Sequence, residues 1–236
     1  ELWFAARIAM RKVDPYLDTL FSAFEMISSG VTTVQHIQGW ATGNFEQVTA
    51  SAKGVLRGYE AVGMRASYCY AVREQNRFVQ LAPANLHWMT DDGLLAMQEK
   101  SMAEGVPMHM HLLETAYQKE YAFKRTGTTA VKHLEKLGLL GPHMTLGHGV
   151  WMTHEDIEIC AGTGTCICHN CSSNFRLRSG VLPLMELQKR GMTVGMGMDE
   201  AGINDDRDML QEMRMALTVH RVPGMDHDAV PPNTAP

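Results

Sequence analysis

A short apolar run recurs seven times along the chain, followed in all but one case by a segment of helical periodicity, with Gly or Pro marking most of the joins. The runs are 31–36, 64–72, 78–83, 106–112, 144–148, 165–169 and 192–199. Runs this short, bounded by turn signals, read as strands buried on both faces. Between them, residues 45–61, 91–104, 115–125, 131–137, 153–160, 182–190 and 205–217 read as helices. Such alternation implies a parallel sheet joined by right-handed crossovers. Each strand also ends on something polar: His36, Asn85, His111, His148, His169-Asn170 or Asp199. An open doubly wound sheet concentrates its site at one crevice. Polar ends on nearly every strand fit a closed α/β barrel of the (β/α)8 TIM type better, and residues 1–236 read as one partial barrel domain.

One junction breaks the pattern. Only residues 73–77 separate the second strand from the third, whereas a parallel crossover takes about a dozen residues or more. Either these strands are not parallel neighbours, or a helix-bearing segment is missing near Arg77-Phe78. The second reading is preferred.

Composition narrows the class of partner. The formal charge is −5 and no basic block is present, which argues against a nucleic-acid or anionic-membrane surface. No apolar run approaches about 18 residues, the length of a membrane span. Five cysteines, three of them within Cys166–Cys171, form no regular disulfide framework, so a reduced, cytoplasmic setting is expected.

Chemistry gathers at the strand ends. In Val106–Thr115, His109 and His111 share one strand face, with His111 nearer the carboxyl end and Glu114 where the strand gives way to a loop. His109, a layer deeper, reads as a structural core residue. His148, followed by Gly149, can be a metal ligand or a base that holds a water. Asp199 ends a strand whose Gly195 and Gly197 leave room inside a barrel, although a lone Asp after a strand is commonly a cap. His169–Asn174 is a dense polar turn, and for Ser172 and Ser173 turn chemistry suffices. Cys166-x-Cys168-His169-x-Cys171 is too tightly spaced for a zinc knuckle. There is no phosphate-cradling G-x-x-x-x-G-K and no G-x-S-x-G elbow.

The ordered set Ser29-Gly30-Val31-Thr32-Thr33, His111-Leu112-Leu113-Glu114-Thr115, Gly147-His148-Gly149, His169–Asn174 and Gly197-Met198-Asp199 resembles the amidohydrolase superfamily. Within it, the likeness is to cytosine/guanine-type deaminases and triazine or chloro-heterocycle hydrolases. The resemblance implies a barrel with one divalent metal, zinc or iron, held in part by His111 and Asp199. It implies catalytic roles for Glu114 as the acid toward a substrate ring nitrogen, for His148 in positioning the water, and for Asp199 as a base. His36, Asn85, His87, Trp88 and Asn174 are the expected substrate-binding residues. The activity implied is hydrolytic deamination of an amino-substituted purine, pyrimidine or triazine. The partner is then a small heterocycle, with homo-oligomer formation left open. Residues 78–88 contain no Lys, which sets the chain apart from the binuclear members with their carboxylated lysine.

Departures accompany the likeness. The family's first-strand His-x-His pair would precede residue 1, and a C-terminal part would follow Pro236. Cys171 stands where Pro is usual, and Ala84 where many members have His. The chain therefore reads as an internal portion of an enzyme, inactive alone. The alternative is a non-catalytic barrel fragment or inactive homologue that binds a small molecule.

Overall fold

The computed structural model describes residues 13–38, 44–72, 82–199, 203 and 206–221. The chain divides into two compact units, residues 1–70 and 71–236.

In the first unit, helix α1 (Pro15–Ser28) starts where Asp14 accepts a hydrogen bond from the Tyr16 N–H and Pro15 supplies a pre-set first turn. Strand β1 (Thr33–Gln38) follows, then α2 (Phe45–Ala61), opened by a reciprocal cap between Asn44 and Gln47. Strand β2 (Arg65–Val72) runs parallel to β1, with Thr33 opposite Arg65 and Gln38 opposite Tyr70. The two helices pack closely because Gly54 and Gly58 present bare backbone. A Cβ on Gly54 would lie 3.2 Å from Pro15 Cβ, and one on Gly58 would lie 2.8 Å from both Cβ and Cγ2 of Thr19.

The second unit carries the larger sheet. Strand β3 (Ala82–Pro83) is followed by α3 (Asp91–Glu104), which stops at Gly105 in a left-handed cap. Then come β4 (Met108–Leu112), α4 (Ala116–Thr126), α5 (Ala130–Lys136) and β5 (Met144–His148). After these follow α6 (His154–Thr163), β6 (Cys166–His169), α7 (Cys171–Arg176), α8 (Leu184–Lys189), β7 (Val194–Met196) and α9 (Met209–Val219). Strands β4, β5, β6 and β7 lie side by side in chain order, all parallel. Met108, Met110 and Leu112 project from one face of β4 into a core shared with Leu94, Val131, Leu146 and Ile167. Each such side chain contributes about 1.5–3 kcal/mol on burial. His109 and His111 occupy the opposite face.

Two expectations need comment. The stretch expected to be a polar turn forms a short helix, α7. Its Ser172 N–H donates to the carboxylate of Glu212, a fully buried residue of α9. A cap supplied from so far along the chain leaves no local signal. The Arg73–Phe78 junction lies outside the described residues. On either side of it, Ala71 and Val72, which fall in the second unit, pair in parallel with Ala82 and Pro83. Among the described residues, no helix is long and apolar enough to cross a membrane.

Gly58→Ala tests the helix contact in the first unit. Alanine gains about 1 kcal/mol of helix propensity, but overpacking costs about 1–3 kcal/mol. Thr19 cannot swing freely, because its hydroxyl donates to Pro15 O at 2.7 Å. The expected result is a net loss of stability, read as a lower denaturant midpoint.

A second prediction concerns the join between α9 and β6, where His169 Nε2 lies 3.0 Å from His220 Nε2. Burial, with His220 and His148 nearby, pushes His169 from the ordinary 6.5 down to about 3. Burial lowers His220 as well. The folded pair stays neutral where the unfolded chain binds protons, so stability should fall as pH drops from about 6.5 toward about 3. Thermal melts across that window should show the fall in Tm, and His169→Gln should make it shallower. An identical slope in that variant would count against the pair.

Candidate metal centre

Parallel register sets the height of each functional side chain. Leu112 lies opposite His148, and His111 opposite Gly147, so the ends of β4 and β5 are level. Gly147 leaves room there: a Cβ on it would lie 3.0 Å from His109 Nε2, so the ring would have to shift. Among the described residues four non-glycines have positive φ, and three stand at or just past strand ends: Leu113 (51°) after β4, His148 (75°) ending β5 and Asp199 (60°) beyond β7. Such conformations cost about 1–3 kcal/mol each and concentrate at working sites. They re-aim the chain just where the strands stop.

The result is a cluster of His111, His148 and Asp199 whose ligand atoms lie within 4.8 Å of one another. The two imidazoles stack, with ring centroids 5.4 Å apart. Each ring has its Nδ1 engaged. His111 Nδ1–H donates to the Ala84 carbonyl at 3.1 Å, and His148 Nδ1–H to Asn174 Oδ1 at 2.8 Å. Those bonds select the tautomer and leave both Nε2 atoms as lone-pair donors. Burial and the neighbouring His148 also hold His111 below its ordinary pKa, which keeps it neutral. Asp199 Oδ2 accepts from Ser173 Oγ at 2.5 Å, leaving Oδ1 free of that bond. Two imidazoles and a carboxylate form a donor set that suits a divalent metal. Ligand bonds of about 2 Å place two donors no more than about 4 Å apart, so the cluster has less than about an ångström to tighten.

Glu114 stands beside it. Its Oε2 lies 4.0 Å from His148 Nε2, and its side chain is 17% exposed. Its Oε1 accepts from Ser179 Oγ at 3.4 Å. A carboxyl group at that distance can exchange protons with a molecule held over the cluster.

The remaining expected site residues are distributed differently. His36 belongs to the first unit, where its ring nitrogens meet the Tyr59 hydroxyl (2.8 Å) and Gln38 Oε1 (3.0 Å). Asn85 is buried and accepts from the Trp88 N–H at 3.1 Å, holding a local turn. His87 is half-buried against Trp88, with centroids 4.7 Å apart, and flanked by Tyr117 and Tyr121. Burial lowers its pKa, against the pull of Glu114. Asn174 is fully buried; its oxygen orients His148, and its Nδ2 has no hydrogen-bond partner among the described residues. Gly197 leaves its space to protein rather than to a ligand, since a Cβ there would meet Asn170 Oδ1 at 2.2 Å and Cys168 Sγ at 2.6 Å.

Sequence reasoning missed the Ala84 carbonyl, Ser173, Ser179 and Glu212. A main-chain acceptor carries no residue-type signal, Ser173 reads as turn chemistry, and nothing in the local sequence marks Ser179 or Glu212.

Residues 16–235 match the amidohydrolase family. Across 257 aligned positions the chain is 29% identical to a 5'-deoxyadenosine deaminase of Methanosarcina barkeri, covering 98% of this chain and 57% of that protein. It is 36% identical over 144 positions to an 8-oxoguanine deaminase of Pseudomonas aeruginosa, covering 61% of this chain and 32% of that one. The zinc-complexed atrazine chlorohydrolase of Arthrobacter aurescens superposes with a TM-score of 0.75 at 20% identity, covering 89% of this chain and 55% of that one. That likeness is one of fold, an α/β fold of the TIM-barrel type. The chain spans a little over half the length of the first of these relatives. With the family match running over nearly its whole length, the chain belongs to the amidohydrolase family.

Proposed function

We propose that this chain is part of a metal-dependent hydrolase that removes an exocyclic amino group, as ammonia, from an aminated heterocycle of purine type. The observation that carries the reading is the placement of Glu114 Oε2 4.0 Å from His148 Nε2, at the edge of the His111–His148–Asp199 cluster. The purine preference rests on the names of the two relatives, deaminases of 5'-deoxyadenosine and of 8-oxoguanine.

In this reading His111 and Asp199 hold one divalent ion, zinc. Such an ion, when bound, lowers the pKa of a water toward about 7. Asp199 takes a proton from the attacking water, and His148 holds that water by its free Nε2. Glu114 protonates the ring nitrogen next to the amino-bearing carbon as the water oxygen adds to that carbon. Protons then pass to the amino group, the C–N bond breaks, and ammonia leaves. His87, Trp88 and Asn174 line the heterocycle's side of the site. The barrel closes around these strand ends in the intact protein. All five cysteines are free thiols, which supports work in a reducing compartment, the cytoplasm.

The short β2–β3 connection fits the same frame. The Methanosarcina alignment takes 257 positions to hold 98% of the 236 residues, so about 26 positions of that relative face gaps in this chain. We place the main part of that difference at residues 73–81, where parallel neighbours are joined by fewer residues than a crossover takes.

Two experiments test the reading on protein expressed from the intact gene. The first is ammonia release from 5'-deoxyadenosine, 5-methylthioadenosine, S-adenosylhomocysteine, 8-oxoguanine and an aminotriazine. At least one purine should be deaminated, with activity lost to a chelator and restored by zinc; a metal-replete protein inert toward all five would sink the proposal. The second separates the two carboxylates. Glu114→Gln should keep metal content and lower turnover about 10²–10⁴-fold, the usual range for acid–base groups. Asp199→Asn should lose metal and turnover together. Equal metal loss in both variants would move Glu114 into the coordination shell.

A further inference from the structure

Helix α4 begins in an unusual way. Its N-cap Thr115 accepts from the Gln118 N–H at 3.3 Å, as an N-cap should. In the usual reciprocal arrangement the side chain three residues on returns to the N-cap's own N–H. Two other helices of this chain do that: Gln47 Oε1 accepts from Asn44 N at 2.9 Å, and Asp156 Oδ2 from Thr153 N at 2.8 Å. Gln118 reaches one residue further back. Its Oε1 accepts from the main-chain N–H of Glu114 at 2.8 Å. Its amide Nε2 then comes within 3.4 Å of Glu114 Oε2, the oxygen that lies 4.0 Å from His148 Nε2.

We infer that Gln118 is a positioning residue for Glu114, holding its main chain and its carboxylate by the two ends of one amide. The inference rests on the reading of Glu114 as the proton-transferring acid. Ser179 completes the hold from the other side: its Oγ lies 3.4 Å from Glu114 Oε1, and its carbonyl is itself fixed by the Trp151 indole N–H at 2.7 Å. The physical need is plain. A Glu side chain has three rotatable bonds, and a misplacement of about 1 Å at a reacting centre can cost about 10²-fold in rate. The amide nitrogen only donates, so Gln118 cannot take the proton itself and leaves that work to Glu114. The residue type matters for the same reason. A glutamate at 118 keeps the acceptor for the Glu114 N–H and suits a helix N-terminus, but it loses the donor and sets two carboxylates side by side.

Gln118→Glu therefore separates positioning from helix capping, and the intact metal-loaded protein is the material to use. Under the positioning role, kcat for the best purine substrate falls about 10–100-fold, the range for partners that hold a working group in place, while KM and metal content stay as they were. Tm at neutral pH drops by about 2–4 °C, and the drop disappears in the Glu114→Gln background, where the repulsion is removed. Under capping alone, Gln118→Glu leaves kcat unchanged and Tm equal or higher, which overturns the inference. The Glu114→Gln control keeps the two claims apart. Full turnover in that control removes the acid reading and this inference with it. Lost turnover there beside an unaffected Gln118→Glu overturns the positioning role alone.

Discussion

The imidazoles of His111 and His148 can serve a cation because their Nδ1 atoms are already engaged. A neutral imidazole has one donor and one acceptor nitrogen, and the hydrogen bond at one decides the character of the other. The Ala84 carbonyl and the Asn174 amide oxygen make that decision for the two rings. Without those acceptors either ring could turn its N–H toward the cluster, and a metal or its water would meet a proton instead of a lone pair. Burial works in the same direction for His111, keeping it uncharged.

The strand ends hold their shape against backbone preference. Leu113, His148 and Asp199 adopt a left-handed conformation that disfavours side chains bearing a Cβ. Three such residues cost several kcal/mol together, at about 1–3 kcal/mol each. The core beneath β4, β5 and β6 is large enough to absorb that. Met108, Met110, Leu112, Met144, Leu146 and Ile167 are all essentially buried, and each contributes on the same scale or more. The packed face therefore holds in place the strained rim that presents the ligands. Leu113 shows the coupling most directly, since it is strained and fully buried at once.

Much of this was legible in the sequence, for reasons that can be named. Period and punctuation located α2, α3 and β5 with the bounds they have, because glycines such as Gly63 and Gly105 mark real helix ends. Strand polarity marked His111, His148 and Asp199 as end residues, and parallel register then brings them together. Asn85 and Asn174 were legible only as polar groups near a site. Their partners, the Trp88 N–H and the His148 ring, are set by tertiary geometry. Similarly, His36 has a strand-end pattern like that of His111, yet two of its hydrogen bonds go to Tyr59 and Gln38 of the first unit. Position in a strand tells where a side chain stands along the chain, and only packing tells what it meets.

Helix α7 is the sharpest case of that limit. Six residues cannot hold a helix by propensity, because nucleation fixes several dihedrals for one hydrogen bond, and Asn170 makes no side-chain cap. Polar residues such as Asn170, Ser172, Ser173 and Asn174 are therefore rightly read from sequence as a turn. What shifts the balance is the buried Glu212 carboxylate on the Ser172 N–H, at an end where the helix dipole favours negative charge. Once α7 forms, Ser173 reaches Asp199 and Asn174 reaches His148. Two of the three members of the cluster are thus oriented by a short helix whose start is held by an acid from α9. The dependence runs from a residue that touches no ligand, through a helix with no signature of its own, to the atoms that face the metal.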